Sequence, residues 1–263
     1  MMNMFDLTDK IAIVTGGYGH LGSAMVEGLL NQNAKVIVAG RNKDKFDEKF
    51  KHIEDKTSLF FRDIDIMNAE SINTFFKNVN ADFGKIDVLV NNAHSAKGKG
   101  QEDMADDDWA YTMDGVLGSI HKCIKAVIPY MKKQNSGKII NVSSMYGVVS
   151  PDFRLYEGDN CEPYINPPHY GAAKAGIIQL TKYFAAYLGK HNIQVNAVTP
   201  GPFPKEGIQQ ENEIFVERLK SKNPLHKIGK PEDLMGVTVL LSSRGSDFIT
   251  GQNIIVDGGW TIW

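Results

Sequence analysis

Tyr170 and Lys174 stand four apart in Tyr170-Gly-Ala-Ala-Lys174, at the start of a run that reads as helix. Residues at that spacing share one helix face, so a phenol and an ammonium address one site. An unperturbed tyrosine titrates near pH 10, and lowering its pKa by about 3 units takes roughly 4 kcal/mol. A unit positive charge about 4 Å away, at an effective dielectric near 20, supplies that much. The pair can therefore give and take a proton near neutral pH.

A second group of residues suits phosphate. Gly16, Gly19 and Gly22 lie between the apolar run Ile11–Val14 and a helical stretch from Leu21 to Leu30. Glycine permits the tight turn and lets a pyrophosphate approach backbone N–H groups at the helix N-terminus. Tyr18, His20 and Leu21 fill the same turn and are read with it as cofactor contacts. About 20 residues past such glycines, an acidic residue would hold the adenosine ribose hydroxyls and favour NAD. Here Gly40 stands there, followed by Arg41. A guanidinium binds a 2′-phosphate through paired charge-assisted hydrogen bonds, so NADP(H) is expected ahead of NAD(H), with His20 as a second donor.

These residues need a scaffold, and the apolar pattern supplies one. Short buried runs recur at Ile11–Val14, Val36–Ala39, Ser58–Phe61, Asp87–Val90, Lys138–Val142, Gln194–Val198 and Asn253–Val256. Helical stretches separate them, among them Ser71–Phe83, Trp109–Met131 and Ala172–Leu188. Strands alternating with helices mean parallel βαβ units. The expectation is an α/β fold: one doubly wound Rossmann domain over residues 1–263, with a seven-stranded parallel sheet flanked by helices. Two stretches break the rhythm. Residues 151–169 carry Pro151, Pro163, Pro167 and Pro168 and read as a loop insert at the active site. Residues 203–225, after Pro200-Gly-Pro, turn weakly helical and read as a substrate lid.

The motifs Thr15-Gly-x-x-Gly19-x-x-Gly22, Asn91-Asn-Ala93, Asn141-Val-Ser-Ser144, Tyr170-x-x-x-Lys174, Pro200-Gly201 and Asp257-Gly-Gly259 follow one another in that order. The chain thereby resembles the short-chain dehydrogenase/reductase family over essentially its entire length. The resemblance implies an NAD(P)-dependent oxidoreductase, usually a homotetramer, with a homodimer as the smaller alternative. By that similarity Ser144 holds the substrate oxygen, and Tyr170 is general acid for reduction and general base for oxidation. Lys174 lowers the tyrosine pKa and binds the nicotinamide ribose. Asp65 and Ile66 look like adenine contacts, Asn92 and Ala93 line the cofactor cleft, and Pro200, Gly201 and Phe203 form the turn beside the nicotinamide. Ser143 is set aside, since the family places its catalytic serine second in the pair.

Three departures from the family pattern stand out. His20 occupies a position where the single-domain members carry glycine. Aligning on Trp109 and Leu117 puts Val116 where an asparagine usually shapes a water relay behind the lysine, with Asp114 and Ser119 as possible substitutes. Ser144 and Tyr170 are 26 positions apart, about twice the family's usual separation. The extra residues, including Asp152, Arg154, Tyr156, Glu157 and Asp159, must emerge near the site, and their polar, aromatic content suits a hydroxyl-rich substrate or a subunit interface. Ser143-Ser-Met-Tyr-Gly-Val-Val-Ser-Pro151 with Leu155-Tyr-Glu-Gly158 is similar to the gluconate 5-dehydrogenase-like branch and to branches making surface sugars or flagellin glycans. His94, Ser144, Arg154 and Tyr156 are the candidate substrate residues.

Composition excludes several other functions. With 29 Lys and Arg against 31 Asp and Glu, the balanced charge gives no pull toward nucleic acid or anionic membrane. No apolar run is long enough for a membrane span, and acidic Asp6 and Asp9 argue against a leader. Two cysteines, Cys123 and Cys161, fit a reducing cytoplasm. No histidine pair has metal-ligand spacing, and the acids from Glu102 to Asp108 read as a helix cap, so no metal is expected. Trp260 and Trp263 should roof the site or meet a neighbouring subunit. The expected activity is NADP(H)-dependent interconversion of a secondary alcohol and a ketone on a small polar molecule: a sugar, sugar acid or polyol. The alternatives are a 3-oxoacyl-thioester reductase and, motivated by Val116, a weakly catalytic NADP(H)-binding sensor or scaffold.

Overall fold

The computed structural model describes residues 3–98, 100–156 and 166–263. Seven strands form one all-parallel sheet: β1 (Ile11–Thr15), β2 (Lys35–Gly40), β3 (Leu59–Asp63), β4 (Val88–Asn91), β5 (Gly137–Val142), β6 (Ile193–Pro200) and β7 (Asn253–Val256). Their order in space is β3-β2-β1-β4-β5-β6-β7. Alternate residues of the central strands feed two cores. Ile11, Ile13, Ile37, Leu89 and Ile139 meet α3 (Ala69–Phe83), α5 (Ser119–Gln134) and α6 (Pro168–Leu188) on one face. Ala12, Val14, Val36, Val38, Val90 and Ile140 meet α1 (Gly22–Leu30), α2 (Lys43–Lys49) and α9 (Met235–Ser242) on the other. Burial on both sides explains why these strands read as continuous apolar runs.

The strand order reverses between β1 and its neighbours β2 and β4, and in such sheets ligands bind beyond the carboxyl ends of the strands at that point. Two expectations need correction there. The helix expected over Trp109–Met131 is broken. It runs as α4 (Asp106–Met113), a π-turn over Asp114–Gly118, then α5. A Cβ on Gly115 would lie 2.2 Å from the Ser95 carbonyl oxygen, so glycine admits the loop after β4. The widened turn frees the Gly115 carbonyl, which accepts from Ser95 N at 3.1 Å and from Ser119 Oγ at 2.9 Å. The loop expected to 169 instead ends at Pro167, because α6 begins at Pro168. Proline suits the first helical position, and it pushes the preceding residue to extended geometry, as seen at Pro167 (φ −71°, ψ 143°).

Residues Phe153–Tyr156 form one short 3₁₀ turn, and Glu157, Asp159 and Cys161 lie outside the described residues. The lid stretch contains two helices, α7 (Glu206–Glu211) and α8 (Glu213–Ser221). Trp260 is buried with Met145, Leu155 and Leu219 of its own chain, while Trp263 is exposed and donates Nε1–H to the Lys222 carbonyl at 2.9 Å. Among the described residues no helix is long and apolar enough to cross a membrane, and no group of His, Cys, Asp and Glu is placed to hold a metal.

Candidate active site

A cleft of about 440 Å³ opens at the carboxyl edge of β1, β2, β4 and β5. It is large enough for an organic ligand. Its floor is the turn between β1 and α1. Gly16 adopts φ +62°, which glycine tolerates, and its N–H is held by the Ala39 carbonyl at 2.7 Å. Asn92 latches the turn from β4, its Nδ2 donating to the carbonyls of Thr15 (3.0 Å) and Gly16 (3.1 Å). Thr15 Oγ1 accepts from the N–H groups of Asn92 and Ala93, both at 3.0 Å.

The turn is a cradle that a side chain would fill. A Cβ on Gly22 would sit 2.5 Å from the Gly16 carbonyl oxygen and 2.7 Å from Asn92 Nδ2. Gly22→Ala should therefore break the latch and cost about 1–3 kcal/mol by overpacking. The measurable result is a weaker affinity for dinucleotide, by roughly tenfold or more at about 1.4 kcal/mol per decade, read by calorimetric titration.

At the end of β2 the tyrosine of the glycine turn takes up the space. The Tyr18 ring lies against Gly40, where a Cβ would come within 2.5 Å of it, and its phenol oxygen accepts the Arg41 N–H at 3.1 Å. Arg41 lines the cleft beside it and has no ion-pair partner among the described residues. Among the described residues no carboxylate lines this end, so the residues fit a phosphate there. Ile64 and Ile66 form an apolar wall opposite. Asp65 does not line the cleft; its carboxylate accepts Met67 N–H at 2.9 Å within its own turn.

The other end holds Tyr170 and Lys174 in the first two turns of α6. Lys174 is buried and donates Nζ–H to the Val142 carbonyl at 2.9 Å, while Ser143 Oγ donates to the Lys174 carbonyl at 2.8 Å. This double clasp fixes α6 to the end of β5. The Lys174 ammonium lies 5.6 Å from the centre of the Tyr170 ring. Burial alone pushes the Lys174 pKa down to about 7. Beneath them Asn91 Nδ2 donates to Asn141 (2.8 Å) and Asn141 Nδ2 to Thr181 (3.0 Å), tying β4, β5 and α6 together.

Ser143 contributes atoms to the cleft wall, whereas Ser144 stands just beyond it, half-buried, its Oγ accepting Tyr146 N–H at 3.2 Å. That bond leaves the Ser144 hydroxyl proton available. Gly147 lets the turn after Ser144 rest on α6, since a Cβ there would come within 2.7 Å of the Lys174 backbone. His94 follows Ala93 along the wall, its ring edge-on to Tyr170 with centroids 6.2 Å apart. It keeps a solvent-facing edge, yet crowding in the recess strips its hydration and pushes its pKa down to about 4, aided by Lys174.

His20 does not point to the Arg41 end. Its Nε2–H donates to the Phe203 carbonyl at 3.1 Å, joining the glycine turn to the root of the lid. Its pKa is lowered, chiefly by burial. Pro200 and Gly201 also stay out of the cleft lining. Gly201 packs on Asp257, where a Cβ would come within 2.5 Å, and its N–H reaches the Val256 carbonyl at 2.9 Å. Phe203 turns its ring onto Gly229.

Arg154 and Tyr156 lie elsewhere. Arg154 grips Asp152 with two 2.8 Å bonds beside a separate recess lined by Lys222, Trp260 and Trp263, and the Tyr156 hydroxyl bonds that of Tyr146 at 2.6 Å. Val116 is sealed in the core, Asp114 is held by Lys122 at 2.8 Å, and Ser119 is spent on Gly115. Sequence reading missed Ile64, Ser95 and Lys205 in the cleft wall. None belongs to a motif, and only folding brings them there.

This architecture is that of a dinucleotide-dependent oxidoreductase. The family model described as enoyl-(acyl carrier protein) reductase matches residues 19–261, and the chain belongs to the short-chain dehydrogenase/reductase family; its relatives include named dehydrogenases and reductases acting on CH–OH groups. It is 32% identical over 261 residues to a 3-oxoacyl-(acyl-carrier-protein) reductase of Thermotoga maritima, covering 97% of this chain and 99% of that one. It is also 32% identical over 267 residues to a 2-dehydro-3-deoxy-D-gluconate 5-dehydrogenase of Escherichia coli, covering 99% and 98%. A gluconate 5-dehydrogenase of Burkholderia cenocepacia, solved in complex with NADP and tartrate, superposes with a TM-score of 0.86 at 27% identity, covering 99% of this chain and 98% of that one.

Proposed function

We propose that the chain interconverts a secondary alcohol and a ketone on a small polar substrate, a sugar acid, sugar or related polyol, using NADP(H). The observation that carries the reading is one cleft joining Tyr170 and Lys174 to Arg41, which among the described residues has no ion-pair partner and no carboxylate beside it in the wall. Tyr170 gives its proton to the carbonyl oxygen in reduction and takes it from the hydroxyl in oxidation. Lys174, when protonated, stabilises the phenolate, and Ser144 donates its hydroxyl to the same substrate oxygen. A nicotinamide held in this cleft would supply the hydride for reduction or accept it in oxidation. The glycine turn would hold the diphosphate, Ile64 and Ile66 the adenine, and Tyr18, Gly40 and Arg41 the 2′-phosphate. The cytoplasm and the homotetramer or homodimer usual for the family complete the reading. Tyr183 and Tyr187, exposed together on the outer face of α6, support an assembly.

The Thermotoga relative favours a second reading, a 3-oxoacyl-thioester reductase. Nicotinamide absorbance followed with aldonates, keto-sugars and 3-oxoacyl thioesters separates the two. Turnover of aldonates or keto-sugars is expected, and turnover of thioesters alone overturns it. The cofactor has its own test. Arg41→Ala should weaken NADPH binding about tenfold while moving NADH by less than about twofold. Equal effects on both cofactors would remove Arg41 from the phosphate site.

A further inference from the structure

We propose that Tyr156 is a positioning residue for Ser144, acting through Tyr146, and that this is a role of the insert that lengthens the Ser144–Tyr170 separation; the proposal rests on the redox reading above. A serine hydroxyl has three staggered positions about its Cα–Cβ bond, and only one faces a given substrate oxygen. Ser144 stands in extended backbone (φ −161°, ψ 153°) at the head of a 3₁₀ turn over Met145–Gly147. Its Oγ accepts the Tyr146 N–H at 3.2 Å, and that bond selects one of the three positions. The aim of the serine therefore depends on where the Tyr146 backbone sits.

Two supports hold that backbone. On one side the turn rests on α6: a Cβ on Gly147 would lie 2.7 Å from the Lys174 carbonyl carbon, and one on Gly171 would lie 2.9 Å from the Tyr146 carbonyl oxygen. On the other side the Tyr146 side chain reaches the insert, where its hydroxyl meets that of Tyr156 at 2.6 Å, at the short end for a bond between hydroxyls. Tyr156 is itself seated on α8. Its ring packs on Phe215 with centroids 5.4 Å apart, and the neighbouring Leu155 carbonyl accepts from Arg218 Nη1 at 3.2 Å. Asp152 is gripped by Lys222 at the end of α8 as well as by Arg154. Met145, Leu155, Leu219 and Trp260 form a small apolar core against which both tyrosines pack. A chain of hydrogen bonds on a packed base rigidifies the groups it joins, and this one runs from the Tyr156 hydroxyl through Tyr146 to Ser144 Oγ.

The test uses the full-length protein with NADPH. Amide hydrogen exchange at Tyr146, resolved by mass spectrometry, reads its bond to Ser144 directly. Tyr156→Phe keeps the ring on Phe215 and deletes one oxygen. It should speed exchange at Tyr146 about two- to tenfold, the effect of one neutral hydrogen bond, and leave β5 and α6 unchanged. In reduction of 5-keto-D-gluconate kcat should fall by a similar factor while KM moves by less than about twofold, since the serine's bond to the substrate oxygen strengthens in the transition state. In a Ser144→Ala background the same substitution should change kcat by less than about 1.5-fold, because a residue that acts through the serine has nothing left to act on. Equal losses of kcat with and without Ser144 overturn the proposal. So does unchanged exchange at Tyr146, or faster exchange spread over β5 and α6, which would make Tyr156 a general packing residue. If wild type reduces neither 5-keto-D-gluconate nor any other ketone, the redox reading falls, while exchange at Tyr146 still decides whether Tyr156 holds Ser144.

Discussion

Tyr170→Phe is expected to lower kcat/KM for the carbonyl substrate by about 10²–10⁴-fold, the range for loss of a positioned general acid. The ring packs against the core that contains Val116, Ala173 and Ile177, and phenylalanine keeps those contacts. NADPH affinity and melting temperature should therefore hold. Without the phenol the substrate oxygen must take its proton from water, and His94, kept neutral near Tyr170, is a poor acid to replace it. A loss smaller than about tenfold would show that the proton comes from elsewhere and would sink the assignment. The control matters because Val116 is sealed in the core where the family usually has asparagine. The residue loss must be read against whatever rate this chain has.

Lys174→Met is expected to abolish turnover and at the same time to raise the stability of the cofactor-free protein. The buried amine titrates near 7 instead of its ordinary 10.5, and desolvation is the cause. Between those values the unfolded chain binds a proton that the folded chain releases, so the contribution of this group to stability rises with pH through that window. Below pH 7 the folded chain carries a desolvated charge and its cost is greatest. Methionine fills a similar volume without that cost and gives up one bond to Val142. A gain on the order of a few kcal/mol near pH 7 follows. It should appear as a melting temperature roughly 5 °C higher or more, with the difference shrinking toward pH 10. An unchanged or lower melting temperature at pH 7 would mean that the lysine sits in a better-solvated place than the fold indicates.

The elements that carry most of the site were readable for simple reasons. Strands β1, β2 and β4 read as apolar runs because the middle of the sheet is covered on both faces, and the motifs fall at strand ends where backbone geometry demands glycine or asparagine. Two helices left no trace. Helix α2, Lys-Asp-Lys-Phe-Asp-Glu-Lys, buries only Phe46, and α9, Met-Gly-Val-Thr-Val-Leu-Leu-Ser, is too uniformly apolar to show a helical period. The π-turn depends on the Ser95 carbonyl pressing on Gly115, a contact between distant segments. The direction of His20 was equally hidden, since its partner is 183 positions away. Local pattern finds elements and motifs; it does not find what a long side chain touches after folding.

The packing of Tyr18 over Gly40 bears on how this chain could change cofactor over evolutionary time. An acidic residue at 40 needs a Cβ where the Tyr18 ring now sits, within 2.5 Å. A lineage that gains the carboxylate first therefore displaces the ring that supports the Arg41 backbone, and one that trims the tyrosine first loses that support with no carboxylate in return. Each single step is worse than either endpoint. The two positions form an epistatic pair, and descendants should have changed both together or neither.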